Sequence, residues 1–161
     1  MTAPVATSSS TVITPDQLLK HWQGHRRLTR RVIAAFPEVA FEQHTIGGMR
    51  TFAKQSKEII EMAAPTLKGV ISGQWEFAAK TDEWTRDQTL AQWDATTVEI
   101  DRLWPSIPAH RFQEVDMAFG QWEMSGYGIL LYVIDNEIHH RAQGYVYLRS
   151  LGIEPPPFYE R

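Results

Sequence analysis

Apolar residues return at helical spacing in four separate segments of the chain. The first segment begins after Thr14 and carries a stripe of residues spaced three or four apart: Leu18, Trp22, His25, Thr29, Val32, Ile33 and Phe36. Thr14 and Gln17 have the spacing of a capping box, and Pro15 suits the first helical position. Pro37 forbids continuation. The pattern therefore predicts a first helix between Thr14 and Pro37.

The second segment starts near Met49, directly after a Gly47-Gly48 pair that punctuates the preceding linker. Its apolar stripe consists of Phe52, Ile59, Ile60, Ala63 and Leu67. Pro65 lies inside this pattern and is expected to kink the helix or divide it. The stretch "SGQWEFAAKTDEW" that follows has no period, and its two tryptophans are expected to anchor it.

The third segment has a second possible capping box at Thr85 and Gln88. Its stripe consists of Leu90, Trp93, Thr97, Ile100 and Trp104, and Pro105 ends it. In the linker that follows, the run "RFQEVDMAF" is compatible with a short strand or an extended arm. A single strand cannot form a sheet, so no sheet is predicted.

The fourth segment runs from about Ser125 to Leu151, where Gly152 is suited to end a helix. Its inward face consists of Leu130, Val133, Ile134, Glu137, His140, Gly144, Leu148 and Leu151. Four helices joined by linkers of about a dozen residues or more predict an all-α fold, a four-helix bundle with long inter-helix linkers. We expect one domain over residues 14–161, preceded by a flexible N-terminal tail over residues 1–13.

Composition narrows the classes of function that remain. The 161 residues contain no cysteine, which excludes disulfides, thiolate metal sites and a cysteine nucleophile. The formal net charge of -3 argues against nucleic acid and an anionic membrane as partners. The chain has no run approaching about 18 apolar residues and no basic, apolar leader at its start. These observations predict a cytoplasmic protein with no membrane span.

The chemistry of the last segment centres on His140. Asn136 and Glu137 lie one turn earlier on the same side of the predicted helix. Glu-x-x-His is the spacing with which helical bundles place two ligands on one metal. A second Glu-x-x-His is missing, which argues against a di-iron centre. Two interpretations remain open, because Glu137 could instead accept hydrogen bonds from His140 or an arginine in a packed core.

The other polar residues of the helices are weaker candidates. His139 points about 100° away from His140, with Gln143, and is expected at the surface or behind a ligand. His21 and His25 have a spacing that can hold zinc, but the glutamate of the zincin motif is missing. Packing is favoured for this pair, with His25 able to line an internal cavity. A solvated face is predicted for four arginines: Arg26, Arg27, Arg30 and Arg31.

At this point the sequence resembles a known family. The stretch "NEIHHRAQGYVYLRSLGIEPP" is similar to the C-terminal signature of the DinB/YfiT-like proteins, the DNA-damage-inducible DinB family. "GGMRTFAKQSKEIIEM" and "GVISGQWEF" resemble that family's second helix and the turn after it. The resemblance covers most of residues 14–161. It implies a stress-associated four-helix bundle, often a homodimer, that binds a divalent metal, commonly zinc or nickel, through three histidines.

The resemblance can be carried over residue by residue. The family pattern has one histidine on the second helix and two histidines four apart on the last helix, the later one before an arginine. Here the later position is His140, followed by Arg141, and the earlier position is Asn136. The second-helix position is Glu58, at the edge of the apolar stripe. Oxygen donors favour harder ions, so Mn joins Zn and Ni as a candidate. Glu137 is an alternative source of the carboxylate, and a weak site, a rebuilt site and no site all remain open.

The resemblance implies a metal-dependent enzyme of the thiol S-transferase or hydrolase type, acting on a low-molecular-weight thiol or another small molecule. His140, Asn136, Glu58 and Glu137 would be the ligand candidates, and the residues around the site or its cavity would be His139, Arg141, Gln143 and His25. No catalytic residue is identified. The alternative is a noncatalytic dimeric stress protein with a degenerate or absent metal site. Nucleic-acid binding through the arginines of the first helix is ranked last.

Overall fold

The structure is a computed structural model, and it describes residues 12–161. The predicted N-terminal tail lies outside the described residues, except for its last two positions. These residues are mostly helical, and they form five α-helices and one small sheet: α1 (Pro15–Ala35), α2 (Glu38–Gln43), α3 (Phe52–Ser72), α4 (Arg86–Leu103), β1 (Val115–Ala118), β2 (Trp122–Ser125) and α5 (Gly126–Ser150). Two short 3-10 turns, Trp104–Ser106 and Ala109–Phe112, connect α4 to β1.

Local sequence signals set the starts of two helices. The Thr14 hydroxyl accepts from the Gln17 amide at 3.2 Å, and the Gln17 side chain accepts from the Thr14 amide at 2.8 Å. The same reciprocal pair forms between Thr85 and Gln88 at the start of α4. Such caps typically contribute about 1 kcal/mol each. Both predicted capping boxes are confirmed.

Two helical predictions need correction. α3 runs through Pro65 without interruption, so of the two expected effects of this proline, a kink or a division, the division is wrong. Proline removes one backbone donor, and α3 packs along both α4 and α5, which outweighs that loss. The structure also adds α2, which is too short to show a helical period in the sequence. α2 is held by its buried Phe41, whose ring packs edge-on against Phe36 and Phe52.

A β-hairpin departs from the all-α prediction. The strand expected within "RFQEVDMAF" is present as β1, and it pairs antiparallel with β2 from Val115 opposite Ser125 to Ala118 opposite Trp122. The connecting turn contains Phe119 at φ 53° and Gly120 at φ 66°. β2 does alternate apolar and polar residues, but over only four positions, the shortest run that indicates a strand, and this short signal was missed.

Each of the four long helices packs against two others: α1 against α4 and α5, and α3 against α4 and α5. Two groups of buried apolar residues fill the space between them. One group includes Leu18, Trp22 and Leu67, and the other includes Phe36, Phe52 and Trp93. α5 contributes to both groups, so residues on its inward face are positioned from both ends. Across residues 12–161, no helix has the length and apolar character needed to cross a membrane.

Candidate functional site

Three of the four predicted ligand candidates meet between α3 and α5. Glu58 lies on α3, and Asn136 and His140 lie one turn apart on α5. The Asn136 side-chain amide donates to Glu58 Oε1 at 3.1 Å, and His140 Nε2 lies 3.0 Å from the same oxygen. The other carboxylate oxygen, Oε2, accepts from Arg50 Nη1. We call Glu58, Asn136 and His140 the Glu58 cluster.

The Glu58 cluster holds its carboxylate ionised. The hydrogen bond from His140 is the main cause that lowers the pKa of Glu58 to about 2, with further contributions from Arg50 and Asn136. The side chain of Glu58 is 32% exposed, whereas that of His140 is 6% exposed. Two buried atoms, Asn136 Oδ1 and His140 Nδ1, have no hydrogen-bond partner among the described residues. The cluster therefore combines a fixed negative charge with unused buried polar atoms.

The donor atoms of the Glu58 cluster fit a divalent ion. Two ligands at right angles on a metal about 2.1 Å away lie about 3 Å apart, which matches the 3.0 Å between His140 Nε2 and Glu58 Oε1. No group of three His, Cys, Asp or Glu side chains suited to a metal occurs within residues 12–161. The remaining oxygen donor of the cluster is the amide oxygen of Asn136, which is buried without a partner among the described residues. The amide nitrogen is the atom that faces Glu58, so binding an ion would require the amide to turn and present its oxygen. One carboxylate, one amide and one imidazole suit an ion that accepts both oxygen and nitrogen.

Glu137, the fourth candidate, lies in a separate buried cluster between α1 and α5. Its Oε1 atom accepts from the Thr29 hydroxyl at 2.6 Å, and its Oε2 atom accepts from Trp22 Nε1 at 3.3 Å. Guanidinium nitrogens of Arg26 and Arg141 each lie 3.9 Å from the carboxylate. Burial raises the pKa of Glu137, and the neighbouring cations oppose that shift. Glu137 is thus packed in the core, but its hydrogen bonds come from Thr29 and Trp22 and not, as the packed-core interpretation expected, from His140 or an arginine. The two arginines lie at ion-pair distance.

The same cluster corrects the prediction that Arg26 belongs to a solvated face. Arg26 is fully buried, and its guanidinium stacks 3.8 Å from the centre of the Trp93 ring. It donates to the Thr97 hydroxyl at 2.8 Å and to the Trp93 carbonyl at 3.0 Å. Arg26 follows Trp22 by four residues, so it lies on the apolar face of α1. Burial lowers the pKa of Arg26 to about 10, so it remains a cation at neutral pH.

The remaining sequence-predicted residues divide between core and surface. His25 is buried, and its Nδ1 atom lies 3.0 Å from Arg141 Nη2, which must be the donor because a guanidinium has no acceptor. Its Nε2 atom lies 3.1 Å from the Nε2 atom of His21. This is the packed arrangement favoured for the pair. His139 and Gln143 form an exposed hydrogen-bonded pair at 2.7 Å, as expected for residues turned away from His140.

Neutral His25 should make the stability of the protein fall in mild acid. Burial, followed by the charges of Arg141 and Arg161, lowers the pKa of His25 from 6.5 to about 3. Between pH 6.5 and 3 the unfolded chain binds a proton at His25 and the folded chain does not. The free energy of unfolding therefore has its full value above about pH 6.5 and declines as the pH falls to 3. The slope from this residue is at most about 1.4 kcal/mol per pH unit.

The measurement is the free energy of unfolding of wild type and His25→Gln between pH 4 and 7. The wild-type curve should fall more steeply toward acid than the variant curve, because only wild type carries the suppressed histidine proton. His139→Gln is the matched control, since His139 is exposed and should follow the wild-type slope. Parallel curves for wild type and His25→Gln would contradict the prediction.

An apolar cavity of about 230 Å³ adjoins the Glu58 cluster. It lies between α3, α5, the hairpin and the loop over residues 73–85, and its most distinctive lining residues are Glu58, Glu61, Phe77, Phe119, Trp122 and Tyr132. A larger cleft of about 640 Å³ lies between α5 and the proline-rich C-terminal segment, away from Glu58. Sequence reasoning missed the aromatic residues of the cavity, because most of them lie on the hairpin and the loop, which have no helical period.

Comparisons with known proteins agree on one family. The sequence model of the DinB family matches residues 7–161 of the chain. A crystal structure of a DinB-like protein from Bacillus subtilis superposes with a TM-score of 0.72 at 17% identity, covering 90% of this chain and 98% of that one. A DinB-like protein from Bacillus cereus gives a TM-score of 0.72 at 17% identity, covering 89% and 97%. A comparison with curated proteins gives no significant match.

Proposed function

The chain belongs to the DinB family, and on that premise we propose that it is a cytoplasmic, divalent-metal-dependent enzyme of the thiol S-transferase or hydrolase type. In this proposal the four long helices act as a four-helix bundle, and the Glu58 cluster is the reaction site. The observation that carries the proposal is the convergence of Asn136 and His140 on one oxygen of Glu58, beside an apolar cavity. The substrate is a small molecule, such as a low-molecular-weight thiol.

Each residue of the site has a distinct task. Glu58, His140 and the amide oxygen of Asn136 would hold the ion, which when bound lowers the pKa of a coordinated thiol or water and so supplies a nucleophile. Arg50 fixes the orientation of Glu58 through its Oε2 atom, leaving Oε1 toward α5. The aromatic residues of the cavity exclude water from the substrate. A metal-bound histidine normally donates its second ring N–H to an acceptor, and loss of that acceptor typically lowers metal affinity by about 10- to 100-fold. His140 Nδ1 has no such acceptor among the described residues, so we expect a site of reduced affinity.

Metal affinity tests this proposal directly. Protein purified without a nickel column and stripped with EDTA should bind one Mn²⁺, Zn²⁺ or Ni²⁺ ion in a calorimetric titration. His140→Ala should weaken binding by about 100-fold or more, because removal of a ligand costs more than removal of a partner behind it. Asn136→Asp should tighten binding by adding a second carboxylate. His139→Ala, one position away and exposed, is the matched control and should leave the affinity unchanged.

A second candidate function is a noncatalytic, dimeric, stress-associated protein. The observation that favours it is that Arg50 already compensates the charge of Glu58, and that His140 and Asn136 already contact its other oxygen at hydrogen-bond distance. It predicts a dimer by light scattering and a midpoint of thermal unfolding that does not change when Mn²⁺, Zn²⁺ or Ni²⁺ is added. A folded protein that binds none of the ions, with identical titrations for wild type and His140→Ala, would overturn the enzyme proposal and leave this one.

A further inference from the structure

Aromatic side chains surround the cavity beside the Glu58 cluster. The rings of Phe77 and Phe119 stack at a centroid distance of 4.7 Å, and the Trp75 and Trp122 rings lie 5.2 and 6.2 Å from Phe119. Phe77 is 64% exposed and Trp122 is 46% exposed, and Tyr132 on α5 is similarly open. Exposed apolar surface gathered around one cavity is typical of a binding site.

Phe119 occupies a backbone position that its side chain does not favour. Its φ of 53° lies in the left-handed region, and Gly120 follows at φ 66°. Two consecutive residues with positive φ form the kind of hairpin turn that prefers Asn, Asp or Gly. A phenyl ring does not stabilise such a turn. Bulky residues with left-handed backbone are outliers, and they are found most often at functional sites. The ring instead contributes to the cavity, which it lines.

The loop over residues 73–85 is fixed on both sides of Phe77. Before it, Trp75 donates its indole N–H to Asp116 of β1 at 3.0 Å. After it, the Thr81 hydroxyl donates to Glu61 of α3 at 3.1 Å, and the Thr81 carbonyl accepts from Lys57. A loop of about a dozen residues without secondary structure commonly serves a function. These contacts hold the Phe77 ring against Phe119 above the cavity.

The charges around the cavity select against ionic ligands. The two carboxylates that line it are already paired with cations outside the lining, Glu58 with Arg50 and Glu61 with Lys57, and the described lining contains no lysine or arginine. A charged ligand of either sign would therefore lose its hydration in an apolar cavity that offers it no unpaired opposite charge. A volume of about 230 Å³ is below the range of about 300–1,000 Å³ that drug-sized ligands occupy. These limits leave a small, uncharged and largely apolar group.

We propose that this cavity binds a flat, uncharged aromatic group of one or two rings, with Phe77 and Phe119 as the stacking residues. The proposal rests on the proposed function, because the aromatic group would be the part of the substrate that places a reactive atom beside Glu58. The ring stack and the apolar lining give affinity, and the cost of burying a charge in that lining selects an uncharged ligand.

The test is a calorimetric titration of EDTA-treated, full-length protein with 2-naphthylmethanol. Wild type should bind it, and Phe77→Ala should weaken binding by about 3- to 10-fold, as expected for loss of one stacking ring. Phe119→Asn should weaken binding to a similar extent while it suits the left-handed turn and keeps the fold. Phe158→Ala, an exposed aromatic residue outside this cavity, should have no effect. Thermal unfolding of each variant confirms that it is folded.

Two further probes check the chemistry of the ligand. 2-Naphthoate should bind more weakly than 2-naphthylmethanol, because its carboxylate would lose hydration in a cavity whose described lining contains no lysine or arginine. The saturated decahydro-2-naphthylmethanol should also bind more weakly, because it has similar size and no π-system. Equal affinity for the saturated probe, tighter binding of the anion, or unchanged affinity in Phe119→Asn and Phe77→Ala would overturn the inference.

The two proposals fail separately. Probe binding is measured without metal, so ring-dependent binding in a protein that binds no ion would sustain this inference and remove the metal-dependent function. A protein that binds an ion through His140 but shows no saturable binding of 2-naphthylmethanol would sustain the proposed function and overturn this inference.

Discussion

Replacing Glu137 with leucine should lower the free energy of unfolding by about 3–5 kcal/mol, the usual cost of breaking a buried ion pair from one side. Glu137 is fully buried, and Arg26 and Arg141 lie 3.9 Å from it on opposite oxygens. Without the carboxylate, both guanidinium groups stay in the core without this opposite charge, and the Trp22 indole N–H loses its acceptor. The Thr29 hydroxyl keeps only the His25 carbonyl, at 3.0 Å. Urea unfolding followed by circular dichroism measures the loss.

A double-mutant cycle separates the charge from the packing. Arg26→Met should itself be costly, but Glu137→Leu combined with Arg26→Met should be less destabilised than the sum of the two, by about 2 kcal/mol or more. Asp94→Leu is the matched control, because the exposed Arg30–Asp94 pair should contribute less than about 1 kcal/mol. A loss below about 1 kcal/mol in Glu137→Leu would show that the cluster tolerates an unpaired charge, against the prediction.

The helix ends were predictable and the core polar cluster was not. Thr14 forms its capping box with Gln17, only three residues away, so the sequence signal for the helix start lies within a short stretch. Arg26 takes its environment from Trp93 on α4 and Glu137 on α5, which only the fold brings near it. The run of arginines suggested a solvated face for all four, but Arg26 lies four residues after Trp22 and therefore on the same buried face of α1.

The residues of the candidate site also differ in how far the sequence could predict them. Helical spacing and family resemblance both selected His140, whereas Glu58 came from the resemblance alone because its position is at the edge of the apolar stripe. Spacing placed Glu137 beside His140, yet its carboxylate points toward α1, because residues three apart on a helix still differ by about 60° in direction. Phe77 and Phe119 gave no sequence signal, since a loop and a turn place side chains by tertiary contacts.

Gly69→Ala should displace the loop that carries Phe77 and lower the free energy of unfolding by about 1–3 kcal/mol, the usual cost of overpacking. A Cβ atom at Gly69 would lie 2.2 Å from the Trp75 ring, so the indole must move. Trp75 would then lose its hydrogen bond to Asp116, which also pairs with Arg111 at 2.9 Å. Phe119 packs on Trp75, so the disturbance reaches the cavity.

The expected signature is a loss of the naphthyl probe's affinity, about 10-fold or more if both stacking rings move, with the helical circular dichroism retained. Gly24→Ala is the matched control: it also adds a methyl group inside a helix, but its closest neighbour is Arg161 Cβ at 3.3 Å, at the exposed C-terminus. This variant should be neutral or more stable, because alanine favours helix by up to about 1 kcal/mol over glycine. Combining Gly69→Ala with Trp75→Ala should cost less than the two changes summed, since the clash is removed. Additive losses would place the effect of Gly69→Ala in the helix itself and not in its contact with the loop.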